Sequence, residues 1–401
     1  MSHAHPDPRV AVDYDPRTRI LFGAGTLDVL GGEAAAIGRR TLIVTDAGLA
    51  ATGHLARAKA SLAEAGCEVD VFDGVRPNPT TEDVEACRAF AAGSFGGRGP
   101  ELLVGLGGGS SMDCAKGALF LLAGGGTMSD YRGTGLGRGT FLPLITIPTT
   151  AGTGSEAQSY AVISDAQTHL KMACGDKRAA ARLAILDPDL TATMPPMVRA
   201  VTGIDAVSHA VETLVSTART PLSQMFSRQS WRLLSQALPR VLADPADDAA
   251  RGDMLFGAYL AGSAIEASML GAAHAMANPL TAQYEMTHGV AIAAVLPTVV
   301  EFNAEDDFAD ELYGQMATAA GREGETGGGR GGRRLAALLR ELVAAAGLPA
   351  DLREAGASEG DVAAMAEAAA QQWTGRFNPR PMTADLFAGL YRRAIGAAAG
   401  V

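Results

Sequence analysis

The sequence predicts two domains of different class, an α/β domain with a parallel sheet over residues 1–192 and an all-α domain over residues 193–401. Up to about residue 190, short β-branched runs alternate with helical stretches, which is the pattern of repeated β–α–β units. Pro195 and Pro196 then interrupt the chain, and almost every later segment has the 3.6-residue period of a helix. The chain has 401 residues, 47% of them hydrophobic, which is enough for two substantial cores.

Each element is predicted from its own pattern. Six runs bounded by turn residues predict strands: TRILFG, TLIVTD, EVDVFDG, ELLVGLGGG, LPLITIPTT and LAILD. Helical spacing predicts helices in the first domain for SLAEAG and TEDVEACRAFAAG. The same spacing predicts helices in the second domain for MVRAVTGIDAVSHAVETLVS, SQMFSRQSWRLLSQALPRVLA, MLFGAYLAGSAIEASMLGAAHAMA, LAALLRELVAAAG and ADLFAGLYRRAIGAAA. The glycine- and arginine-rich run from Gly321 to Arg334 predicts a flexible loop.

Composition and charge exclude several classes of function. The formal net charge is −11 and basic residues form only short clusters, so neither nucleic acid nor an anionic membrane surface is an expected partner. The segment AYLAGSAIEASMLGAAHAMANPL is interrupted by Glu266, His274 and Asn278, and predicts a buried helix instead of a membrane span. The first residues lack the pattern of a signal peptide, and the 4 cysteines are widely spaced. A cytoplasmic protein without disulfides or thiolate zinc sites is expected.

One glycine-rich turn has the context of a phosphate-binding loop. In ELLVGLGGGSSMDCAKG a strand leads into Gly107, Gly108 and Gly109, and Ser110 opens a helix. Glycines allow a pyrophosphate to approach the backbone, and a helix N-terminus offers unpaired N–H groups. A glycine-rich turn without a ligand fits the motif about as well. Because the spacing is GxGGGS and not GxGxxG, the domain is expected to be a Rossmann-like dinucleotide-binding domain of non-standard form.

Two other strand ends support a dinucleotide site. Asp46 ends TLIVTD at the carboxyl edge of a strand, where α/β sheets bind ligands. A carboxylate there accepts from ribose hydroxyls and repels a 2′-phosphate, so NAD is expected in preference to NADP. Taken alone, Asp46 is more often an ordinary capping or turn aspartate than a ribose ligand. The run LITIPTTAGTGSE offers hydroxyls at Thr149, Thr150 and Thr153 for phosphate or ribose contacts.

The second domain carries a distinctive set of histidines. Beyond residue 169 the histidines are His209, His274 and His288, each among small apolar residues. Asp205 precedes His209 by four residues, about one helical turn, so the two share a helix face. A single histidine in such a context is more often a hydrogen-bonded core residue, but three with a carboxylate indicate a divalent metal such as Fe²⁺ or Zn²⁺. The absence of cysteine from the set favours a catalytic over a structural site.

The order of these motifs is similar to that of a known family. GGGSSMDCAK, IPTTAGTGSE, the DPDL…MPP junction, TGIDAVSHAVE and GAAHAMANPL…HGVAIAAVLP follow one another as in the iron-containing (group III) alcohol dehydrogenases. The resemblance runs from RILFG to FNPRPMT, nearly the whole chain. It implies an NAD(P)-binding α/β domain, a helical metal-binding domain and a homodimer or larger homo-oligomer.

The resemblance also assigns individual residues. Those matching the family's metal ligands are Asp205, His209, His274 and His288. Those matching cofactor-contact positions are Asp46 at the ribose, Gly107, Gly108, Gly109 and Ser110 at the pyrophosphate, and Asn78, Thr149, Thr150 and Lys171 elsewhere along the cofactor.

The chain departs from the family at one candidate catalytic position. Many members carry a second histidine four residues after the third ligand, His274, where this chain has Asn278. An amide can form hydrogen bonds but does not titrate near neutral pH, so a proton relay through this position is lost or moved. His274 and Asn278 are therefore the candidate catalytic residues, with the proton path left open.

Together these features predict an NAD-dependent, divalent-metal-assisted alcohol dehydrogenase or aldehyde reductase that transfers hydride between the nicotinamide and a small alcohol or carbonyl substrate. A maleylacetate reductase-like or hydroxyacid–oxoacid transhydrogenase-like activity remains possible within the family. A dehydroquinate synthase-like lyase would share the architecture but needs a strongly basic pocket, which the second domain does not indicate. A catalytically silent nucleotide- or metal-binding protein is a further alternative, because of Asn278.

Overall fold

The computed structural model describes residues 14–168, 170–321 and 331–396, without the side chain of Gln283. The chain divides into two compact units, one from Asp15 to Met194 and the other from Pro195 onward, to which Tyr14 also belongs. The ring of Tyr14 lies 6.1 Å from that of Phe226 in the second unit. The domain boundary predicted after residue 192 lies just before this division, and as a statement about independent domains it stays a prediction.

The first unit is built on a six-stranded parallel sheet, as predicted. Over the described residues the strands of this unit are β1 (Arg19–Phe22), β2 (Arg40–Val44), β3 (Glu68–Phe72), β4 (Leu102–Gly107), β5 (Gly133–Thr134), β6 (Leu144–Pro148), β7 (Tyr160–Ser164), β8 (Lys171–Gly175) and β9 (Leu183–Leu186). The six-stranded sheet has the order β1-β9-β6-β4-β2-β3, and every pair in it is parallel. The helices of this unit are α1 (Leu30–Ala35), α2 (His54–Glu64), α3 (Thr81–Gly97) and α4 (Gly109–Gly124).

Both faces of the sheet are covered, which explains the continuous apolar runs of its central strands. Every residue of β4 and β6 is buried. Alternate side chains of a strand point to opposite faces: Leu42 and Val44 join one hydrophobic cluster, whereas Ile43 joins another. The sheet therefore separates two cores.

The sequence did not predict a second, three-stranded sheet with the order β5-β8-β7. Strands β7 and β8 pair antiparallel, with Ser164 opposite Lys171. Buried positions in these two strands are interspersed with exposed or partly exposed ones, so neither run has the continuous apolar pattern of the central strands of the main sheet.

The strand order places one candidate site in the first unit. β2 pairs with β3 on one side and β4 on the other, and beyond β4 the sheet continues to β6. The order therefore reverses between β2 and β4. At such a switch point the loops after adjacent strands diverge, leaving a crevice outside their carboxyl ends. Asp46 follows β2, and Gly108 follows β4.

In the second unit, the regular elements of the described residues are helices. They are α5 (Pro196–Val215), α6 (Pro221–Ala243), α7 (Asp248–Glu266), α8 (Ala272–Tyr284), α9 (His288–Asn303), α10 (Asp307–Ala319), α11 (Gly331–Ala345), α12 (Val362–Ala370) and α13 (Ala384–Ala394). Helix α5 is buried over most of its length and packs against α6, α7 and α9. It is the central helix of this unit.

Two predictions for this unit need correction. The long apolar stretch predicted as one buried helix is two helices, α7 and α8, separated by the segment from Ala267 to Gly271. The loop predicted over residues 321–334 falls mostly outside the described residues, but its end is wrong, since Gly331 and Gly332 are buried and open α11. Among the helices that the structure describes, none has the length and hydropathy needed to cross a membrane.

Candidate metal centre and cofactor loop

Three helices of the second unit bring the four predicted metal ligands together. Asp205 and His209 lie one turn apart on α5, His274 lies in the first turn of α8, and His288 is the first residue of α9. A methyl group added at Gly289 would lie 2.3 Å from the backbone oxygen of Val201. Glycine at this position therefore lets the start of α9 contact α5 closely, which places His288 beside Asp205.

The geometry of the cluster centres on one carboxylate oxygen. The Nε2 atoms of His209, His274 and His288 lie 3.4, 3.5 and 3.7 Å from Oδ1 of Asp205. Donor atoms of Asp205, His209 and His274 all lie within 4.8 Å of one another. These three residues are buried, whereas the side chain of His288 is 22% exposed. His288 is therefore the most exposed member of the cluster.

Burial and charge oppose each other within this cluster. Burial works against the charged form of Asp205, but the three imidazoles outweigh it and lower the pKa of this carboxyl below its ordinary value. Burial also works against protonation of His274, but Glu212 and Asp205 outweigh it and raise its pKa to about 9. In the metal-free protein a protonated His274 therefore compensates carboxylate charge, a role that a cation would take over as it displaces the proton.

The donor set fits a divalent transition metal. Bonds of about 2.1 Å at tetrahedral angles place neighbouring donors about 3.4 Å apart, close to the distances around Oδ1 of Asp205. This oxygen and Nε2 of His274 are buried and have no hydrogen-bond partner within the described part of the chain. Buried polar atoms are normally satisfied, and a cation bound by imidazole nitrogens and a carboxylate would satisfy both.

The structure adds one residue that sequence reasoning did not assign. Glu212 on α5 is 4% exposed. Its Oε2 lies 2.5 Å from Nδ1 of His274, and its Oε1 accepts the N–H of Ala273 at 2.7 Å. Glu212 follows Asp205 by seven residues, two helical turns, so a helical wheel would have placed it on the ligand face. Nothing in the sequence indicated that α8 would meet that face.

Asn278 lies one turn beyond His274 on α8. Its Nδ2 donates to Oε1 of Gln372 at 3.0 Å, and Nε2 of Gln372 donates to the carbonyl of Ala368 at 3.4 Å. The amide of Asn278 is thus held by a neighbouring amide. Its predicted catalytic role stays a prediction.

In the first unit, the candidate phosphate loop joins β4 to α4. Gly108 immediately precedes α4, and Gly109 and Ser110 are its first two residues. Oγ of Ser110 accepts the backbone N–H of Asn78 at 3.2 Å, and the carbonyl of Gly107 accepts the N–H of Thr149 at 2.9 Å. These bonds bring together the loops that follow β3, β4 and β6, which carry most of the predicted cofactor residues.

Asp46 caps a short helix, which is the role that the sequence offered as the alternative to ribose binding. Its Oδ1 accepts the N–H of Gly48 at 3.0 Å, which caps a short 3-10 helix. Its Oδ2 lies 3.5 Å from Oγ of Ser111 in the first turn of α4. The side chain therefore spans the switch point between β2 and β4, and capping does not preclude a ribose contact.

The remaining predicted cofactor residues divide into two groups. A methyl group at Gly109 would lie 2.7 Å from Cγ2 of Thr153, and one at Gly108 would lie 3.5 Å from Cγ2 of Thr150, so both threonines adjoin the loop. Oγ1 of Thr150 is buried without a hydrogen-bond partner in the described residues. Lys171, in contrast, begins β8 in the separate three-stranded sheet.

A buried lysine fixes the loop that carries these threonines. Nζ of Lys116, which is 0% exposed, donates to the carbonyl of Ser155 at 2.6 Å, to its Oγ at 2.8 Å and to the carbonyl of Tyr160 at 2.9 Å. Oγ of Ser155 also donates to Asp113 at 2.6 Å. Helix α4 is thereby tied to the segment after Thr153.

Comparison with known proteins gives a consistent result. The model of the family "Iron-containing alcohol dehydrogenase" matches residues 16–188, and that of the "Fe-containing alcohol dehydrogenase family, C-terminal" matches residues 199–395. Alcohol dehydrogenase 4 of Schizosaccharomyces pombe is 35% identical over 378 residues, 94% of this chain and 87% of that protein. NAD-dependent methanol dehydrogenase of Bacillus methanolicus is 32% identical over 385 residues, 94% of this chain and 97% of that protein.

Solved structures agree with the sequence relatives. An alcohol dehydrogenase from Oenococcus oeni superposes with a TM-score of 0.90 at 30% identity, over 96% of this chain and 100% of that one. The two family models together span both compact units. The chain belongs to the iron-containing alcohol dehydrogenase family and is an enzyme, an oxidoreductase that acts on alcohols.

Proposed function

We propose that the protein is an NAD(H)-dependent, divalent-metal-assisted dehydrogenase that interconverts a small alcohol and its aldehyde or ketone. The observation that carries this proposal is the set of three imidazole nitrogens at 3.4 to 3.7 Å around one oxygen of Asp205. The residues that would hold the cation are Asp205, His209, His274 and His288. A cation bound there supplies a Lewis acid for the substrate oxygen. Fe²⁺ is proposed from the family, with Zn²⁺ as an alternative that suits the same donors.

The protein's own groups set up this chemistry. Asp205 is ionised at neutral pH because its pKa is lowered, so it contributes a fixed negative charge. The burial of Asp205, His209 and His274 keeps water from one side of the cluster. We propose that His288, the most open of the four side chains, marks the side from which substrate approaches.

The cofactor is proposed to bind at the β4–α4 loop of the first unit. The backbone N–H groups at the start of α4 would bind the pyrophosphate. Asp46 would accept hydrogen bonds from the hydroxyls of the adenosine ribose and would disfavour NADP. The name of the methanol dehydrogenase relative, which specifies NAD dependence, supports the same choice. Thr149, Thr150 and Thr153 would add hydroxyl contacts, and Asn78 and Lys171 are proposed from the family alone.

The direct test is formation of NADH by reconstituted protein. Metal-free protein is loaded anaerobically with Fe²⁺ or separately with Zn²⁺, and offered a panel of short alcohols with NAD, or aldehydes with NADH. Absorbance of NADH should change only in the loaded samples. A lyase of the dehydroquinate synthase type would regenerate its cofactor and give no net NADH, and the relatives described above do not favour that activity. Equal turnover by rigorously metal-free protein would refute the proposal.

The family resemblance also leads us to propose a cytoplasmic homodimer or larger homo-oligomer. Light scattering of the purified protein tests the assembly, and a mass equal to that of a single chain would contradict it.

A further inference from the structure

Helix α8 begins without a capping side chain of its own. The residue before it is Gly271, and no side chain of that residue can accept the first N–H groups. Two residues from elsewhere accept them: Oδ1 of Asn378 lies 3.3 Å from the N of Ala272, and Oε1 of Glu212 lies 2.7 Å from the N of Ala273. A carboxylate is favoured at this end of a helix by the helix dipole. The start of α8 is therefore fixed from outside.

Glycine is required where these two acceptors converge. A methyl group at Gly271 would lie 3.0 Å from Oε1 of Glu212 and 3.2 Å from Oδ1 of Asn378. Any larger side chain would push at least one acceptor away from its donor. The same residue therefore stands immediately before the second of the two helices and admits the groups that cap it.

Asn378 is itself held in place. It forms a reciprocal amide pair with Asn303, with distances of 2.8 and 3.0 Å, and its Nδ2 donates to the carbonyl of Arg380 at 2.9 Å. Asn303 is the last residue of α9, the helix that begins with His288. One buried hydrogen-bond network thus joins α5, α8 and α9, the three helices that carry the candidate ligands.

Glu212 does more than cap the helix, because its second oxygen faces the adjacent histidine. Nδ1 of His274 is 2.5 Å from Oε2 of Glu212, while Nε2 of His274 faces Oδ1 of Asp205. An ionised carboxylate can only accept, so the proton of a neutral His274 lies on Nδ1 and the lone pair on Nε2. That is the tautomer a cation at Asp205 requires.

We propose that Glu212 is a positioning residue for metal binding: it holds His274 in the Nε2-ligating tautomer and fixes the end of α8 against α5. The inference rests on the proposed function, in that His274 must be a metal ligand. Loss of such an outer partner typically weakens metal affinity by about 10- to 100-fold. No contact of Glu212 with the substrate or the cofactor is involved.

Glutamine is the informative substitution because it keeps size and removes one acceptor. Two donors face the side chain, the N–H of Ala273 and Nδ1–H of His274, but an amide has a single acceptor oxygen. If that oxygen accepts from Ala273, the amide NH₂ faces Nδ1 and favours the tautomer with its proton on Nε2. A proton then occupies the nitrogen that must bind the cation.

The experiment compares wild-type protein with Glu212→Gln and a matched control, Glu311→Gln. Glu311 is exposed on α10, so the control makes the same chemical change away from the network. Zn²⁺ affinity of metal-free protein is measured by competition with a chromophoric chelator, and NAD affinity by calorimetry. We expect about 10- to 100-fold weaker Zn²⁺ binding in Glu212→Gln only, with NAD affinity unchanged. In Zn²⁺-loaded wild type, the Nδ1 proton of His274 should be protected from exchange in NMR spectra, and the variant should lose that protection.

The outcomes separate the inference from the proposed function. Wild-type protein that binds no metal refutes the function. If wild-type protein and Glu212→Gln bind Zn²⁺ equally well, the proposed function stands and the inference is overturned. If Glu212→Gln does not fold, Gly271→Ala replaces it, since it displaces the carboxylate without removing it; unchanged Zn²⁺ affinity and Nδ1 protection in that variant overturn the inference equally.

Discussion

Two adjacent glycines of the cofactor loop allow packing to be separated from ligand binding. A methyl group at Gly109 would lie 2.7 Å from Cγ2 and 2.8 Å from Oγ1 of Thr153. Both distances are shorter than a van der Waals contact of a methyl carbon. Thr153 cannot move cheaply, because its Oγ1 accepts the N–H of Ser155 at 3.3 Å and Lys116 fixes Ser155. Overpacking of this kind costs about 1–3 kcal/mol, offset by about 0.4–1 kcal/mol from the less flexible unfolded chain. Gly109→Ala should therefore lower the free energy of unfolding by about 1–2 kcal/mol.

Gly108→Ala should behave differently. A methyl group there would meet Thr150 at 3.5 Å, an ordinary contact, and the backbone of Gly108 is extended with φ of −74°. Replacing glycine by alanine at the residue before a helix lowers stability by up to about 1 kcal/mol. Alanine also makes the unfolded chain less flexible, which raises stability by a similar amount. The free energy of unfolding should therefore change by less than about 0.5 kcal/mol. If a pyrophosphate approaches this backbone, the methyl group obstructs it, and NAD affinity should fall at least about tenfold, or about 1.4 kcal/mol.

The assay is urea unfolding of cofactor-free protein together with NAD titration. Gly93→Ala is the control, since Gly93 is exposed on α3 and an added methyl group meets nothing within 4 Å. Undiminished NAD affinity in Gly108→Ala would refute the assignment of this loop to the pyrophosphate. Wild-type stability in Gly109→Ala would refute the packing calculation.

Three further predictions concern cofactor choice, proton transfer and pH-dependent stability. Asp46→Gly should shift the ratio of kcat/KM values toward NADP(H), because the charge that repels a 2′-phosphate is gone; equal use of both cofactors by the unmodified enzyme would place Asp46 away from the ribose. Asn278→His should leave metal affinity nearly unchanged and add to the pH–rate profile a titration with a pKa of about 6.5, the ordinary value of an imidazole. An altered substrate preference with an unchanged pH–rate profile would mean that Asn278 only shapes the pocket. Burial raises the pKa of Glu156 from an ordinary 4.5 to about 7. Between these two pH values the folded protein keeps a proton on Glu156 that the unfolded chain has lost. The free energy of unfolding should therefore fall by about 1.4 kcal/mol for each pH unit of increase across that window. Glu156→Gln should abolish this slope, and parallel unfolding curves for the two proteins at pH 5 and pH 7.5 would contradict the reasoning.

The sequence predicted those features that depend on local pattern or on rare residue types. The central strands of the parallel sheet were visible as continuous apolar runs because both faces of the sheet are covered. His209, His274 and His288 stood out because histidine is uncommon among small apolar residues, and the structure brings them to within 4 Å of one oxygen of Asp205.

The features that depend on distant partners were not predictable. Glu212 is one of many glutamates, and its importance follows from contacts with residues about 60 positions later in the chain. The break between α7 and α8 was also missed, because the helical period of the sequence continues through Gly271. Strands β7 and β8 lack a uniform apolar pattern, since they form a separate small sheet.

The measurement that tests the central claim most directly is the metal content and NAD affinity of wild type and His274→Ala, purified in parallel and dialysed against the same Fe²⁺ or Zn²⁺ buffer. His274 lies in the helical unit, whereas the proposed cofactor loop lies in the other compact unit. Wild-type protein should therefore retain a stoichiometric divalent ion and oxidise alcohol, and His274→Ala should lose the ion and turnover while binding NAD as wild type does. Full metal occupancy and turnover in His274→Ala would contradict the account.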